Sequence, residues 1–323
     1  MTYDQSVPLR RWLVALTVFT MVVMAAGCGG GGDSSAGPVK VGVLVITMFD
    51  PEAEPWLRRE SLPITVEVPT AYKPVHCNAE GLCVAETGQG KSNAAATMMA
   101  VLDSPKLDFT GAHFLTVGTA GAPPDQVTLG SATWARWVVD FDLGNHLVPA
   151  EAPSLPYGYR PVEDYNTAAY RLNDQLIETA FGLTEHAPLA DSPEAAAERA
   201  LFPGQAGRTP SVAKCDTVTG DDWFSGKELS DTARHIMGVR TKGQGSYCTT
   251  QMEDNATAAV LDRHGYLDRY LSLRTVSNFD QPYPGQSVLD HLEQQSAGFR
   301  LSIDNGYTLG RLVVDHFLKN PAR

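Results

Sequence analysis

Positive charge is what this 323-residue chain lacks most: 25 Lys and Arg stand against 37 Asp and Glu, a formal net charge of −12. Residues 1–27 hold one Asp and two Arg, so without them the remainder carries −13. A surface of that sign repels nucleic-acid backbones and anionic membranes, so no nucleic acid is expected as a partner, and a small neutral ligand fits better. After residue 28 no apolar run approaches the ~20 residues of a spanning helix, which excludes a pore built from this chain alone. Internal repeats are absent, which argues against a solenoid. The five cysteines do not have the spacing of a zinc site, and neither a metal nor a cofactor is expected. What is present, 43% apolar residues with 29 glycines, suits a globular α/β domain large enough to bury a substantial core.

The one long apolar run lies at the start. Residues 9–28 read LRRWLVALTVFTMVVMAAGC: two arginines, an apolar stretch, small residues, then Cys28. That order is a secretory signal, and AAGC resembles the lipobox of bacterial lipoproteins, whose cysteine is acylated and becomes the new N-terminus. The resemblance implies a signal peptide over 1–27, a lipidated Cys28 with a Gly/Ser tether over 28–38, and a folded domain over 39–323. Such a protein is exported and held by its lipid anchor to the bacterial membrane, in the periplasm or at the cell surface; an uncleaved N-terminal membrane helix is the alternative. In an exported chain the four remaining cysteines suggest disulfides. Cys77 and Cys83 flank NAEGL, a turn-like stretch between two strand-like runs, which predicts a bridge across a hairpin. Cys215 and Cys248 are then the second pair, with free buried thiols as the alternative.

VKVGVLVIT (39–47) is a β-branched apolar run, as expected of a strand covered on both faces. DPEAEPWLRR follows, with Asp50 placed as a helix N-cap and Pro51 at the first helical position. The strand therefore feeds a helix at its carboxyl edge, where α/β folds bind ligands. The pattern recurs in LCVAETGQG before KSNAAATMMAVLDS, in HFLTVGTAGAPP, in KCDTVTGDDWFSG, and in YLSLRTVSNFDQ before a closing helix. GQGKS has the end of a triphosphate-binding loop, but that loop needs a glycine where Ala85 stands, so the match is incomplete.

The turns in order are TMFDPE, TGQGKSNAAA, VGTAGA, TGDDWFSG, QMEDNA and RTVSNFD. Together they resemble the nucleoside phosphorylase and nucleosidase superfamily, and most closely its purine nucleoside permeases, over essentially the whole chain after the tether. GQGKSNAAA looks like the nucleosidase turn GIGKVNAA, TVGTAGA like its Gly-Ser/Thr-Ala-Gly turn, and QMEDNATA like its Met-Glu helix start. The resemblance implies a three-layer α/β/α fold with a central mixed twisted sheet, a purine nucleoside as ligand, and a homo-oligomer in which neighbouring subunits complete the pocket.

It also implies roles. Glu253 anchors the ribose hydroxyls and Met252 packs on the sugar, although an acidic residue at a helix start is also explained by the helix dipole. Gly90, Thr119, Ala120 and Gly121 line the sugar and nucleophile site. Trp223, with Phe224 beside it, stacks on the base, a core tryptophan being the alternative. Asp50 and Glu52 lie where nucleosidases keep a water-activating glutamate. Nucleosidases carry an aspartate that protonates the base where this chain has Asn278; an amide can donate and accept but cannot act as an acid. Either Asn278 reads the base by hydrogen bonds or Asp280 supplies the proton. Thr116 stands where phosphorylases place a phosphate-binding arginine, so water is favoured over phosphate as nucleophile. The expected activity is hydrolytic cleavage of the purine–ribose bond outside the cytoplasm, against a non-catalytic binding protein serving uptake or a phosphorylase.

Overall fold

The computed structural model describes residues 37–163 and 165–322; the signal-like segment and Cys28 lie outside the described residues. The strands of the main sheet are β1 (Val43–Thr47), β2 (Ile64–Val66), β3 (Val75–Cys77), β4 (Leu82–Glu86), β5 (His113–Ala122), β6 (Ala132–Trp134), β7 (Trp137–Asp140), β8 (Ala169–Arg171), β9 (Val212–Lys214), β10 (Asp216–Thr219), β11 (Tyr247–Gln251) and β12 (Tyr270–Phe279). Hydrogen-bonded neighbours run β8-β7-β10-β11-β5-β1-β4-β3-β2, with β12 added to β5 and joined through β6 to β9. All five residues of β1 are buried, as are all five of β4 beside it, because helices cover both faces.

The helices are α1 (Asp50–Arg59), α2 (Lys91–Leu102), α3 (Asp174–Thr184), α4 (Pro193–Arg199), α5 (Lys227–Arg240), α6 (Asp254–Arg263), α7 (Val288–Glu293) and α8 (Gly298–Lys319). α1 and α3 pack against α8, which lies on β5 and β12; α2 pairs with α6 on the opposite face, giving three layers. A Cβ on Gly310 would sit 2.9 Å from the Trp56 ring and 3.0 Å from Val117, so a bare backbone there lets α8 seat against both α1 and the sheet. Among the described residues no helix is long and apolar enough to cross a membrane.

The feature that makes room for a ligand is a parting of strands. β12 accompanies β5 along nearly its whole length, from Phe114 to Ala122. On the other edge, β1 pairs only with His113–Thr116 before the chain turns into α1, and β11 meets β5 in antiparallel register at Gly121. Between these contacts the edge from Val117 to Ala120 faces a gap, and the loops after β1, β4, β10 and β11 gather around it.

Two local expectations come out differently from each other. Both disulfides are present: Cys77 and Cys83 are register partners on β3 and β4, and Cys215 is bridged to Cys248 on β11. The helix cap differs: Phe49 is the N-cap of α1, Asp50 is the first helical residue, and no side chain caps the turn. The physical reason is that Asp50 pairs with Lys73, while Glu52 reaches back to accept from the Met48 amide at 2.9 Å.

Candidate functional site

A cavity of about 310 Å³ opens in the gap beside β5, lined by Met48, Phe49, Glu52, Thr119, Ala120, Gly121, Met252, Glu253, Arg274 and Asn278 among others. Glu52 is buried, with Oε1 accepting from the Thr119 amide at 2.7 Å and from its hydroxyl at 3.1 Å. Burial pushes its carboxyl up to about 7, against the opposing pull of the Arg274 guanidinium. Glu253, also buried, accepts from the Gly90 amide at 3.0 Å and from Arg274 at 3.2 Å. Its pKa is raised by burial, with Arg274 again opposing.

Arg274 is the hub. Its guanidinium reaches Asp254 at 2.5 Å, Glu253 at 3.2 Å and the Thr119 carbonyl at 3.0 Å. Burial opposes its charge, but Asp254 and Glu253 outweigh that and raise its pKa, so it stays cationic. Gly118 makes this packing possible, since a Cβ there would fall 2.7 Å from the guanidinium. Three carboxylates thus surround one cation, and the cavity keeps an excess of negative character suited to a ligand that develops positive charge.

Glu253 occupies the N-cap position of α6 but its side chain caps nothing there. Gln251 does that work, its side-chain oxygen accepting from the amides of Glu253 at 2.7 Å and Asp254 at 2.9 Å. The Glu253 carboxylate is thereby released toward the cavity and the glycine turn. In that turn Gly90 takes φ +88°, a conformation that favours glycine. The amides at the start of α2 are already bound to carboxylates: Gly90 to Glu253, and Lys91 to Asp221 at 2.7 Å. The Lys91 ammonium is held by Asp140 at 3.1 Å and Asp142 at 2.6 Å. A helix start that would attract an anion is therefore occupied from within. His146, nearby in the chain, bonds the Phe141 carbonyl at 2.9 Å.

A second compartment of about 460 Å³ adjoins the first, and the two share Trp223, Ser277, Asn278 and Phe299. Trp223 is half exposed at 48% and borders both spaces, so it is not a core residue. Phe224, the next residue, instead turns into an apolar cluster and stacks on Phe141 at 5.6 Å, away from the cavity. The Asn278 amide is engaged locally, accepting from Ser277 at 2.7 Å and donating to the Phe279 carbonyl at 2.9 Å. Asp280 is buried outside both compartments, with Ser230 and Tyr247 hydroxyls donating to one oxygen at 2.7 Å each. Burial pushes its pKa up to about 6, those hydroxyls opposing. Asp50 is exposed on the rim of a different surface depression. Among the described residues no cluster of three or more His, Cys, Asp or Glu is arranged to hold a metal ion.

With this geometry in place, a family model described as purine nucleoside permease matches residues 40–322. The chain belongs to the purine nucleoside permease family. A "probable purine nucleoside permease" of Schizosaccharomyces pombe is 34% identical, the alignment covering 95% of this chain and 97% of the relative. A purine nucleoside permease of Candida albicans is 30% identical over 85% of this chain and 74% of its own length. Among solved structures, the 5'-methylthioadenosine/S-adenosylhomocysteine nucleosidase of Neisseria meningitidis superposes with a TM-score of 0.56 at 19% identity, covering 86% of this chain and 99% of that one. The futalosine hydrolase of Helicobacter pylori superposes with a TM-score of 0.57 at 16% identity, over 86% and 97% of the two chains. At that identity the likeness is one of fold: this permease-family member has the nucleosidase-type α/β architecture.

Sequence reasoning missed Arg274, Asp254 and Gln251 in this family member. The first lies in the RTVSNFD turn and the others in QMEDNA, so the motifs contained them. A lone arginine inside an apolar strand was the available signal, because a buried cation demands carboxylates nearby.

Proposed function

We propose that the chain binds a purine nucleoside, with the ribose in the inner cavity and the base toward Trp223 and Asn278, and that it hydrolyses the N-glycosidic bond. The observation that carries this reading is the placing of Glu52 and Glu253 on one small cavity, one of them with a proton that exchanges near neutral pH. In the proposed step Glu52 takes a proton from a water whose oxygen attacks the anomeric carbon. The carbon–nitrogen bond breaks, its electron pair leaves with the base, and the base collects a proton from solvent. Glu253 accepts from the ribose hydroxyls and stabilises the positive charge developing on the sugar. Phosphate is the poorer nucleophile here, because the α2 amides and Lys91 are engaged by carboxylates. We extend the reading to an exported, lipid-anchored protein on the strength of residues 9–28; the relatives named above are fungal and lend a bacterial anchor no support.

A second reading, a binding protein without turnover, is favoured by one feature: Asn278 cannot act as an acid, and Asp280 is turned toward Ser230 and Tyr247. Incubation of residues 39–323 with inosine, adenosine and guanosine, with and without phosphate, separates the readings. Phosphate-independent release of base and ribose that falls by ~10²- to 10⁴-fold in Glu52→Gln and Glu253→Gln supports hydrolysis. Saturable binding without release supports the binder, and ribose 1-phosphate would overturn the choice of nucleophile.

A further inference from the structure

The outer compartment has a wall that the family motifs do not supply. Beyond the residues it shares with the inner cavity, it is lined by Glu198 and by His291, Leu292, Gln294, Gln295 and Ser296, from α7 and the segment leading into α8. Two of these residues carry titratable side chains. Both Glu198 oxygens are already engaged, by the Ser296 hydroxyl and the Ala297 amide at 2.7 Å each, so its work is to fasten the segment. His291 is different. Its Nδ1 lies 2.6 Å from the Ser225 hydroxyl, and its ring sits 6.0 Å from the Trp223 ring at a 31° tilt. The Phe279 carbonyl also faces the ring. Nδ1 is the ring nitrogen bonded to Ser225, and the imidazole borders the outer compartment. Asn278, which also borders this space, has its amide committed to Ser277 and Phe279. An aromatic platform beside an imidazole is the equipment needed to hold a flat heterocycle by its face and its edge.

We propose that the outer compartment is the purine subsite and that Nε2 of His291 hydrogen-bonds the edge of the base, which makes His291 a specificity-determining residue. The proposal rests on the nucleoside reading above and adds to it the position of the base and the group that reads it. In this arrangement Ser225 holds the ring through Nδ1, which leaves Nε2 as the atom to meet the edge of a base stacked on Trp223. α7 thereby contributes recognition that the Asn278 position alone does not.

The test compares wild type, His291→Phe, His291→Gln and Ser225→Ala by titration calorimetry with hypoxanthine, adenine and inosine, and with ribose as a control. His291→Phe keeps a ring against Trp223 and removes the hydrogen bond, so base and inosine should bind about 5- to 10-fold more weakly while ribose binding stays unchanged. His291→Gln should recover part of the loss, because its amide can still reach the base. Ser225→Ala should show a smaller loss in the same direction. Base and inosine binding equal to wild type in both His291 variants overturns the assignment of His291 while leaving the nucleoside reading intact. Equal losses for ribose and base would mean a general disturbance of the pocket and overturn it as well. A wild type that binds neither base nor nucleoside overturns both readings.

Discussion

At the start of β5 and β12, His113, Phe114, Tyr270 and Leu271 are buried, with the His113 ring stacked 4.1 Å from Phe317 of α8 and Phe114 stacked 5.3 Å from Tyr266. At the far end of the same two strands, Thr119, Gly121, Arg274 and Asn278 border a cavity shared with Glu52 and Glu253. Each end holds a buried titratable group, and burial moves them in opposite directions: the His113 pKa falls to about 4 and the Glu52 pKa rises to about 7. In both cases the environment disfavours the charged form. The difference lies in what surrounds them. His113 sits among rings that gain nothing from its charge, whereas Glu52 sits beside a cation and three backbone or hydroxyl donors that hold a carboxylate ready. One end of the sheet is organised for cohesion; the other keeps polar groups buried at a cost to stability, as ligand sites do.

The largest effect that tests this contrast is expected at Arg274. Arg274→Met leaves Asp254 and Glu253 buried without their cation, and losing one partner of such a group typically costs about 3–5 kcal/mol. Chemical denaturation at pH 7 should show that loss, and calorimetry should show that inosine binding falls with it. A variant as stable as wild type would mean that the carboxylates are neutral in the fold, and the proposed cavity electrostatics would be wrong.

Next in size is the proton on Glu52. Its folded pKa of about 7 lies above its unfolded value of 4.5, so between those limits the folded state binds more protons than the unfolded chain. This group's contribution to stability therefore declines as pH rises from 4.5 to 7, by about 3 kcal/mol in all. The base form is the deprotonated one, so hydrolysis should rise with pH over the upper part of the same window. Unfolding free energies across pH 4.5 to 8 should lose that decline in Glu52→Gln, and the rise in rate should vanish with it. An unchanged decline in the variant would place the titration elsewhere, with Asp280, whose pKa is about 6, as the first alternative.

Much of this was legible in the sequence, and the exceptions follow a rule. Runs of consecutive apolar residues gave β1, β4, β5 and β12, because strands covered on both faces need no alternation. The order of the turns gave the cavity walls, Glu52, Glu253, Thr119 and Trp223 among them. Asp50 and Glu52 could not be separated, since two residues apart in a first turn is a choice between solvent and interior that the partners decide: Lys73 draws one out, Thr119 draws the other in. Phe224 beside Trp223 has the same character. Arg274 was invisible as a hub because its partners, Glu253, Asp254 and the Thr119 carbonyl, are distant in sequence and meet only when β5, β11 and β12 converge. The wall at α7 carries no family string at all, and only the fold brings His291 to Trp223.

The smallest of these effects belongs to the cohesive end, and it has the opposite sign in pH. The folded pKa of His113, about 4, lies below its unfolded value of 6.5; burial is the main cause, Arg269 and His316 add to it, and Asp268 opposes. Between those limits the unfolded chain binds more protons, so this group's contribution weakens as pH falls from 6.5 toward 4, by about 2 kcal/mol at pH 5. Its Nδ1 has no hydrogen-bond partner, so the imidazole is not retained there for a bond made through that atom. His113→Phe keeps the stack on Phe317 and removes the titration. The variant should match wild type at pH 7.5, exceed it at pH 5, and leave nucleoside binding untouched, since the residue lies at the opposite end of β5 from the cavity. Denaturant midpoints at the two pH values measure this directly. If the variant lost stability in acid as steeply as wild type, the acid sensitivity would not belong to His113, and because the ligand-end carboxylates with raised pKa values stabilise the fold more as pH falls, it would lie outside both ends of the sheet as described.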